Sequence, residues 1–246
     1  MDWTDDGIVI AARKHGESAV ILSLLTRERG RHAGLVRGGA SARARGIYQA
    51  GNLVNAHWRG RLAEHLGGFS CELLRGYAGP LLDDPQRLGA LGAFCALLER
   101  ALPEREPHPA LFEDSLHLLD LLSVAAGAGA DQWAPAYVRW ELALLRDMGY
   151  GLDLESCALT GETDGLAYVS PNTGRAVTAV AGAPWREKLL RLPDFLRENG
   201  DAYGAADPAA VKDGLALTGW FLERHVFAPQ NLNLPAARTR FVEAFR

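Results

Sequence analysis

Short runs of branched apolar residues, broken about every ten positions by glycine or charge, open this chain of 246 residues. Residues 7–12 (Gly, Ile, Val, Ile, Ala, Ala), 19–25 (Ala, Val, Ile, Leu, Ser, Leu, Leu) and 33–36 form the first three. Residues 52–58 and 69–74 supply two more. Such runs are too short for helices and are rich in residues that suit a pleated surface, so they predict five strands. Five short strands with regular turns fit a small barrel or a sandwich. Among five-stranded barrels the OB-fold is the common nucleic-acid binder. The connector 37–45 is rich in glycine, alanine and arginine and has no apolar anchor, which predicts a mobile basic loop.

From Pro85 the period becomes helical. Leu88, Leu91, Cys95, Leu98 and Leu102 recur at spacings of three and four, the mark of one buried stripe. Pro109 opens a second helix with Phe112, Leu116 and Leu119 inward and Glu113, Asp114 and Asp120 mostly outward. Residues 125–130 read as a loop or frayed end. Asp131 is a candidate cap for a third helix that carries Trp133, Tyr137, Trp140, Leu144 and Met148 and ends at Gly149. Residues 150–182 break the pattern, with one apolar piece at 166–169 and a turn at 170–174. Helices resume over 185–199, over 207–227 behind an Asp-Pro pair, and from Pro235 to the end. The expected architecture is therefore α+β and multi-domain: a five-stranded OB-fold barrel over 1–80, a helical domain over 81–149 and 183–246, and a small segment at 150–182.

Charge sharpens this division. The chain has a formal net charge of −4, yet residues 27–61 hold eight arginines and one acid, Glu28. The arginines are Arg27, Arg29, Arg31, Arg37, Arg43, Arg45, Arg59 and Arg61. Residues 1–80 carry eleven basic and seven acidic side chains, leaving fifteen and twenty-three for the rest. A guanidinium offers several donors in one plane and suits phosphate oxygens better than an ammonium does. The eight arginines are thus candidate polyanion contacts, the alternative being a salt-bridged, solvated face. Arg238, Arg240 and Arg246 are candidate contacts for an acidic peptide, or compensate a helix end.

Candidate chemistry changes little. No phosphate loop follows the Gly38, Gly39 pair, and no His-Glu-x-x-His pattern occurs. The seven histidines are scattered, and three widely spaced cysteines (Cys71, Cys95, Cys157) argue against a disulfide framework and for a reducing, cytosolic setting. No stretch approaches the length of a bilayer span. The reading is non-enzymatic, with no cofactor and no metal. Cys157, Thr160, Thr178 and Ala181 have the spacing of two zinc knuckles, but three of the four positions carry no metal ligand.

Taken together, these residues resemble the RecO family of recombination mediators. Gly7, Gly16, Glu17, an apolar run ending in Thr26, Gly30 and the Arg37, Gly38 connector resemble its opening module. Tyr137, Trp140, Glu141, Leu145, Gly149 and Tyr150, followed by Leu152 and Cys157, resemble its helix leading into the knuckle, and 234–245 resembles its last helix. The resemblance implies binding of single- and double-stranded DNA by the barrel and strand annealing. It also implies loading of RecA with RecR on DNA coated by single-strand-binding protein, whose acidic C-terminal tail is a contact, and a knuckle that holds zinc in some members. Three alternatives stay open: an OB-fold RNA-binding protein, a helical interaction scaffold that binds no nucleic acid, and a hydrolase or transferase with a dispersed site.

Overall fold

The protein is seen in a computed structural model that describes residues 1–62, 64–124, 130–197 and 206–245. By internal contacts it divides into two units, Met1–Ala126 with Pro235–Phe241, and Gly127–Leu234 with Val242–Arg246.

The first unit begins with the five expected strands, four of them longer than their apolar runs and β4 equal in length but shifted by one residue. They are β1 (Asp2–His15), β2 (Ala19–Thr26), β3 (Gly30–Val36), β4 (Leu53–Arg59) and β5 (Gly68–Arg75), closed into a barrel in the order β1-β2-β3-β5-β4. Helix α1 (Ala42–Ile47) lies between β3 and β4. This order, with a helix after the third strand, is the OB arrangement. β1 serves two neighbours: Asp2 faces Arg59 of β4, and His15 faces Ala19 of β2, with an irregularity between Val9 and Ala11. Val9, Val20, Leu22, Leu24, Val36, Val54, Ala56, Trp58 and Phe69 fill the interior from alternate positions.

β2 departs from simple alternation, because Ser23, Leu25 and Thr26 are buried as well. Its unit also contains α2 (Pro85–Ala101) and α3 (Pro109–Val124), and the Cys95 thiol of α2 donates to the Val9 carbonyl of β1. α2 starts as its sequence predicts, with the Asp84 carboxylate accepting from the Gln86 and Arg87 amides. Its burial is wider than one stripe and takes in Ala90, Ala93, Phe94 and Leu97, whereas Leu88, expected inward, is exposed. On α3 the inner face holds Leu111, Phe112, Ser115, Leu118 and Leu119, and Leu116 is only half-buried.

The second unit is led by α4 (Ala130–Asp147), whose Trp133, Tyr137, Trp140 and Leu144 are buried as expected; Gly149, at φ 85°, ends it. A three-stranded sheet follows, with β6 (Leu166–Val169) between β7 (Ala176–Thr178) and β8 (Leu190–Arg191), and with the short α5 (Ala179–Gly182) after β7. The helix expected over 185–199 does not form. Two short 3-10 turns, Ala183–Lys188 and Asp194–Leu196, flank β8 instead. Pro193 interrupts any helix across this stretch, since it lacks an amide hydrogen and stands in extended backbone at φ −64°, ψ 147°. Helix α6 (Pro208–Phe221), capped by Asp207, runs into a π-helical stretch, Leu222–Phe227, and α7 (Ala236–Ala244) comes last. Residues 125–129 of the expected loop and 198–199 of the expected helix lie outside the described residues, whereas the backbone at 130 and 131 already belongs to α4, so Asp131 stands inside the helix and not at its cap.

Candidate nucleic-acid interface

The connector 37–45 is not the loop that its composition predicts, since its second half belongs to α1. Ser41 caps α1, its hydroxyl accepting from the Ala44 amide at 3.3 Å, and Tyr48 closes the helix with an amide bond to the Ala44 carbonyl. Buried Asn52 then holds the helix end. Its amide nitrogen donates to the Gly46 and Ile47 carbonyls at 2.9 and 3.2 Å, and its oxygen accepts from the Tyr77 and Ala78 amides at 3.0 and 3.3 Å. All of its polar capacity is spent on backbone, which fixes α1 against the chain leaving β5. Sequence reading assigned this residue only to the start of a strand.

The strand directions sort the eight arginines. Arg37, Arg43 and Arg45 sit at the barrel end formed by the β1–β2 hairpin and the β3–α1 connector, which are joined by an Ala40 amide bond to the Ser18 carbonyl. Arg27 and Arg29 in the β2–β3 turn, Arg31 at the start of β3, Arg59 at the end of β4 and Arg61 beyond it belong to the other end. The β4–β5 loop reaches from there toward β3, where the Leu35 amide donates to the Gly67 carbonyl.

Two of the eight are engaged inside the first unit. Arg27 pairs with Glu113 and lies over the Phe112 ring, 4.7 Å from its centroid. The Arg31 side chain, 17% exposed, donates from Nε to the Leu102 carbonyl at 2.8 Å and pairs with Glu104 at 3.3 Å. The turn that carries them is tightly packed. Gly30 has φ 67°, and a Cβ there would stand 1.9 Å from the Glu106 carbonyl oxygen. Arg29, Arg37, Arg43, Arg45, Arg59 and Arg61 are exposed, and no carboxylate among the described residues pairs with them.

An aromatic cluster supports the β4–β5 loop. Trp3 stacks on Trp58 at 5.8 Å, and His32 meets both edge-on at 5.0 and 5.2 Å, with Phe69 alongside. Trp58 Nε1 donates to the Leu66 carbonyl, and Arg105 donates to the Glu64 and His65 carbonyls. Trp58 is therefore core packing, not a free stacking platform, and Tyr48 is likewise buried. His32 is also buried, and neither ring nitrogen has a hydrogen-bond partner. Burial, with the positive charges of Arg105 and Arg29 partly offset by Glu104, pushes its pKa down from 6.5 to about 4.

The knuckle positions do come together, but as a hydrogen-bonded knot. The Thr178 amide donates to the Cys157 sulfur at 3.4 Å, the Cys157 thiol lies 3.8 Å from the Thr178 hydroxyl, and that hydroxyl accepts from the Ala181 amide to cap α5. Burial raises the thiol's pKa, but bonds from the Thr160 hydroxyl and the Thr178, Leu159 and Thr160 amides outweigh it and bring it down to about 6. One sulfur, two hydroxyls and a methyl do not make a tetrahedral zinc site. Among the described residues no three His, Cys, Asp or Glu side chains are grouped to hold a metal.

Of the peptide-contact candidates, Arg238 is buried, Arg240 is exposed and Arg246 lies outside the described residues. Among the described residues no helix is long and apolar enough to cross a membrane.

Comparison with known proteins agrees with this architecture. The family profile described as Recombination protein O N terminal matches residues 1–77, and that described as Recombination protein O C terminal matches 82–233. A protein named DNA repair protein RecO from Rhodospirillum centenum is 55% identical, covering 100% of this chain and 95% of its own. The protein of that name from Rhodospirillum rubrum is 53% identical over 100% and 97%, and one from a Bradyrhizobium species is 50% identical over 99% and 96%.

Proposed function

Because this chain belongs to the RecO family of DNA repair and recombination proteins, a family of mediators without catalytic chemistry, we propose that it binds DNA through its barrel. The observation that carries this reading is the set of exposed arginines, Arg29, Arg37, Arg43, Arg45, Arg59 and Arg61, which have no carboxylate partner among the described residues and stand on a closed five-stranded barrel. Arg27 and Arg31 join α3 and the α2–α3 connector to the barrel and contribute charge secondarily. Phosphates of a single or double strand are neutralised without base readout, since guanidinium groups on loops and a short helix read charge.

In this reading the protein anneals complementary strands by screening their mutual repulsion. With RecR it helps load RecA on strands coated by single-strand-binding protein, in the cytoplasm. Exposed Arg240 is the remaining described contact candidate for the acidic tail of that protein. No bond is made or broken in any of these steps.

Fluorescence anisotropy of a labelled single strand across a salt series tests the proposal. Six phosphates contacted would give a slope of log K against log salt of roughly −4. A flat salt response, or an affinity no tighter than that of an uncharged control polymer, would overturn it.

A further inference from the structure

The first unit holds a cavity of about 530 Å³ between the β1–β2 hairpin and α1. Ala12, Lys14, Glu17 and Val20 line one side, and Gly39, Ala40, Arg45, Tyr48 and Gln49 the other. We propose that this groove receives one unstacked base of a single DNA strand whose phosphates lie along the Arg37, Arg43 and Arg45 end of the barrel. The inference rests on the strand-binding reading above and adds to it a pocket for a base.

Three observations point to a base in particular. The floor is apolar: Val20, Ala40 and the small accessible edge of otherwise buried Tyr48 offer a surface for a flat ring, with exposed Ala12 at the wall. The rim is polar, with Gln49 and Glu17 able to meet the edge of a ring, Glu17 accepting from an exocyclic amino group. Lys14 and Arg45 stand exposed on opposite walls, unpaired with any carboxylate among the described residues, where phosphates on either side of an inserted base would pass. The Glu17 carboxylate disfavours a bare phosphate as the occupant and suits a ligand that brings its charge to the rim and a neutral ring to the floor.

The groove is also built in advance. The Ala40 amide bonds the Ser18 carbonyl at 3.0 Å and ties the two walls together. Gly39 packs so closely on Val20 that a Cβ would stand 2.5 Å from its methyl, and Asn52 anchors the far end of α1. A preformed pocket spends little ordering entropy on its ligand.

The test uses the full chain and two strands of equal length, one natural with a central 2-aminopurine and one made wholly of abasic units. Removing the base should weaken binding about tenfold, the scale of one base contact. The 2-aminopurine emission should rise on binding as the base leaves its stack. Ala12→Phe, an exposed position at the groove wall, should bring the natural strand down to the affinity of the abasic one. Salt-dependent binding with equal affinities for both strands and silent 2-aminopurine would overturn the pocket alone. If neither strand binds in a salt-dependent way, the DNA-binding reading falls and this inference falls with it.

Discussion

The barrel and the β6–β7–β8 sheet are both small β structures, yet they are held by different forces. Closing five strands lets the barrel bury Val9, Leu22, Leu24, Val54 and Trp58 completely or nearly so. The three-stranded sheet also buries Leu166, Val169, Ala176 and Val177, but its strands of four, three and two residues are too short to stand on their own. Its segment relies on local bonds: the Cys157 and Thr178 knot, the Asp153 pair with Arg175 at 3.0 Å, and backbone bonds from Ala158 to Ala176 and from Ala176 to Asp153. A region stabilised by burial can leave its charged side chains unpaired for a ligand, whereas one stabilised by polar bonds consumes them.

The largest expected effect is on the barrel core. Trp58→Ala should cost about 3–5 kcal/mol by urea denaturation, a large part of the stability of an ordinary domain. The loss combines buried area, the stack on Trp3 and the bond that holds the Leu66 carbonyl. A cost near zero would show that burial does not hold the barrel. His32 comes next, through pH. Its folded pKa of about 4 lies below the unfolded 6.5, so the unfolded state takes up the proton first as pH falls. The stability linked to this residue is full above pH 6.5, declines between 6.5 and about 4, and totals roughly 3 kcal/mol. His32→Phe should flatten stability across that window, which paired denaturation curves would check.

The same contrast explains what could be read from the residues. Strands announced themselves because alternating burial leaves an alternating pattern, α4 because an apolar stripe meets a terminating glycine at Gly149, and α6 because an apolar stripe follows the Asp207 cap. α1 stayed hidden because its six residues bury no side chain and depend on Ser41 and on distant Asn52. β7 and β8 were missed because so few residues leave no period to detect. The arginines were legible as a set but not as individuals. Nothing in the local sequence distinguishes Arg31, held by the Leu102 carbonyl some seventy positions away, from Arg43.

In the polar region the expected effects are smaller. Cys157→Ala removes the sulfur that accepts the Thr178 amide and should cost about 1–2 kcal/mol, the scale of one or two buried hydrogen bonds. A chelator should leave the melting temperature of the unaltered protein unchanged, because Thr160, Thr178 and Ala181 supply no sulfur or nitrogen side-chain donors. A drop on chelation would mean that a metal, not the hydrogen-bonded knot, closes this segment.

The smallest stability effect should accompany the clearest binding effect. Arg31→Ala removes a side chain that is 17% exposed and bonded to a backbone carbonyl, so it should cost about 1 kcal/mol or slightly more and move the salt slope little. Arg43→Ala with Arg45→Ala removes two exposed side chains with no carboxylate partner among the described residues, so stability should stay within about 0.5 kcal/mol. The same double substitution should reduce the magnitude of the salt slope by about 1.4, two phosphates' worth on a single strand. The two variants thus separate a guanidinium used to build the first unit from guanidinium groups kept for a ligand. If Arg31→Ala flattened the slope while the double variant did not, the roles assigned to engaged and unpaired arginines would have to be exchanged.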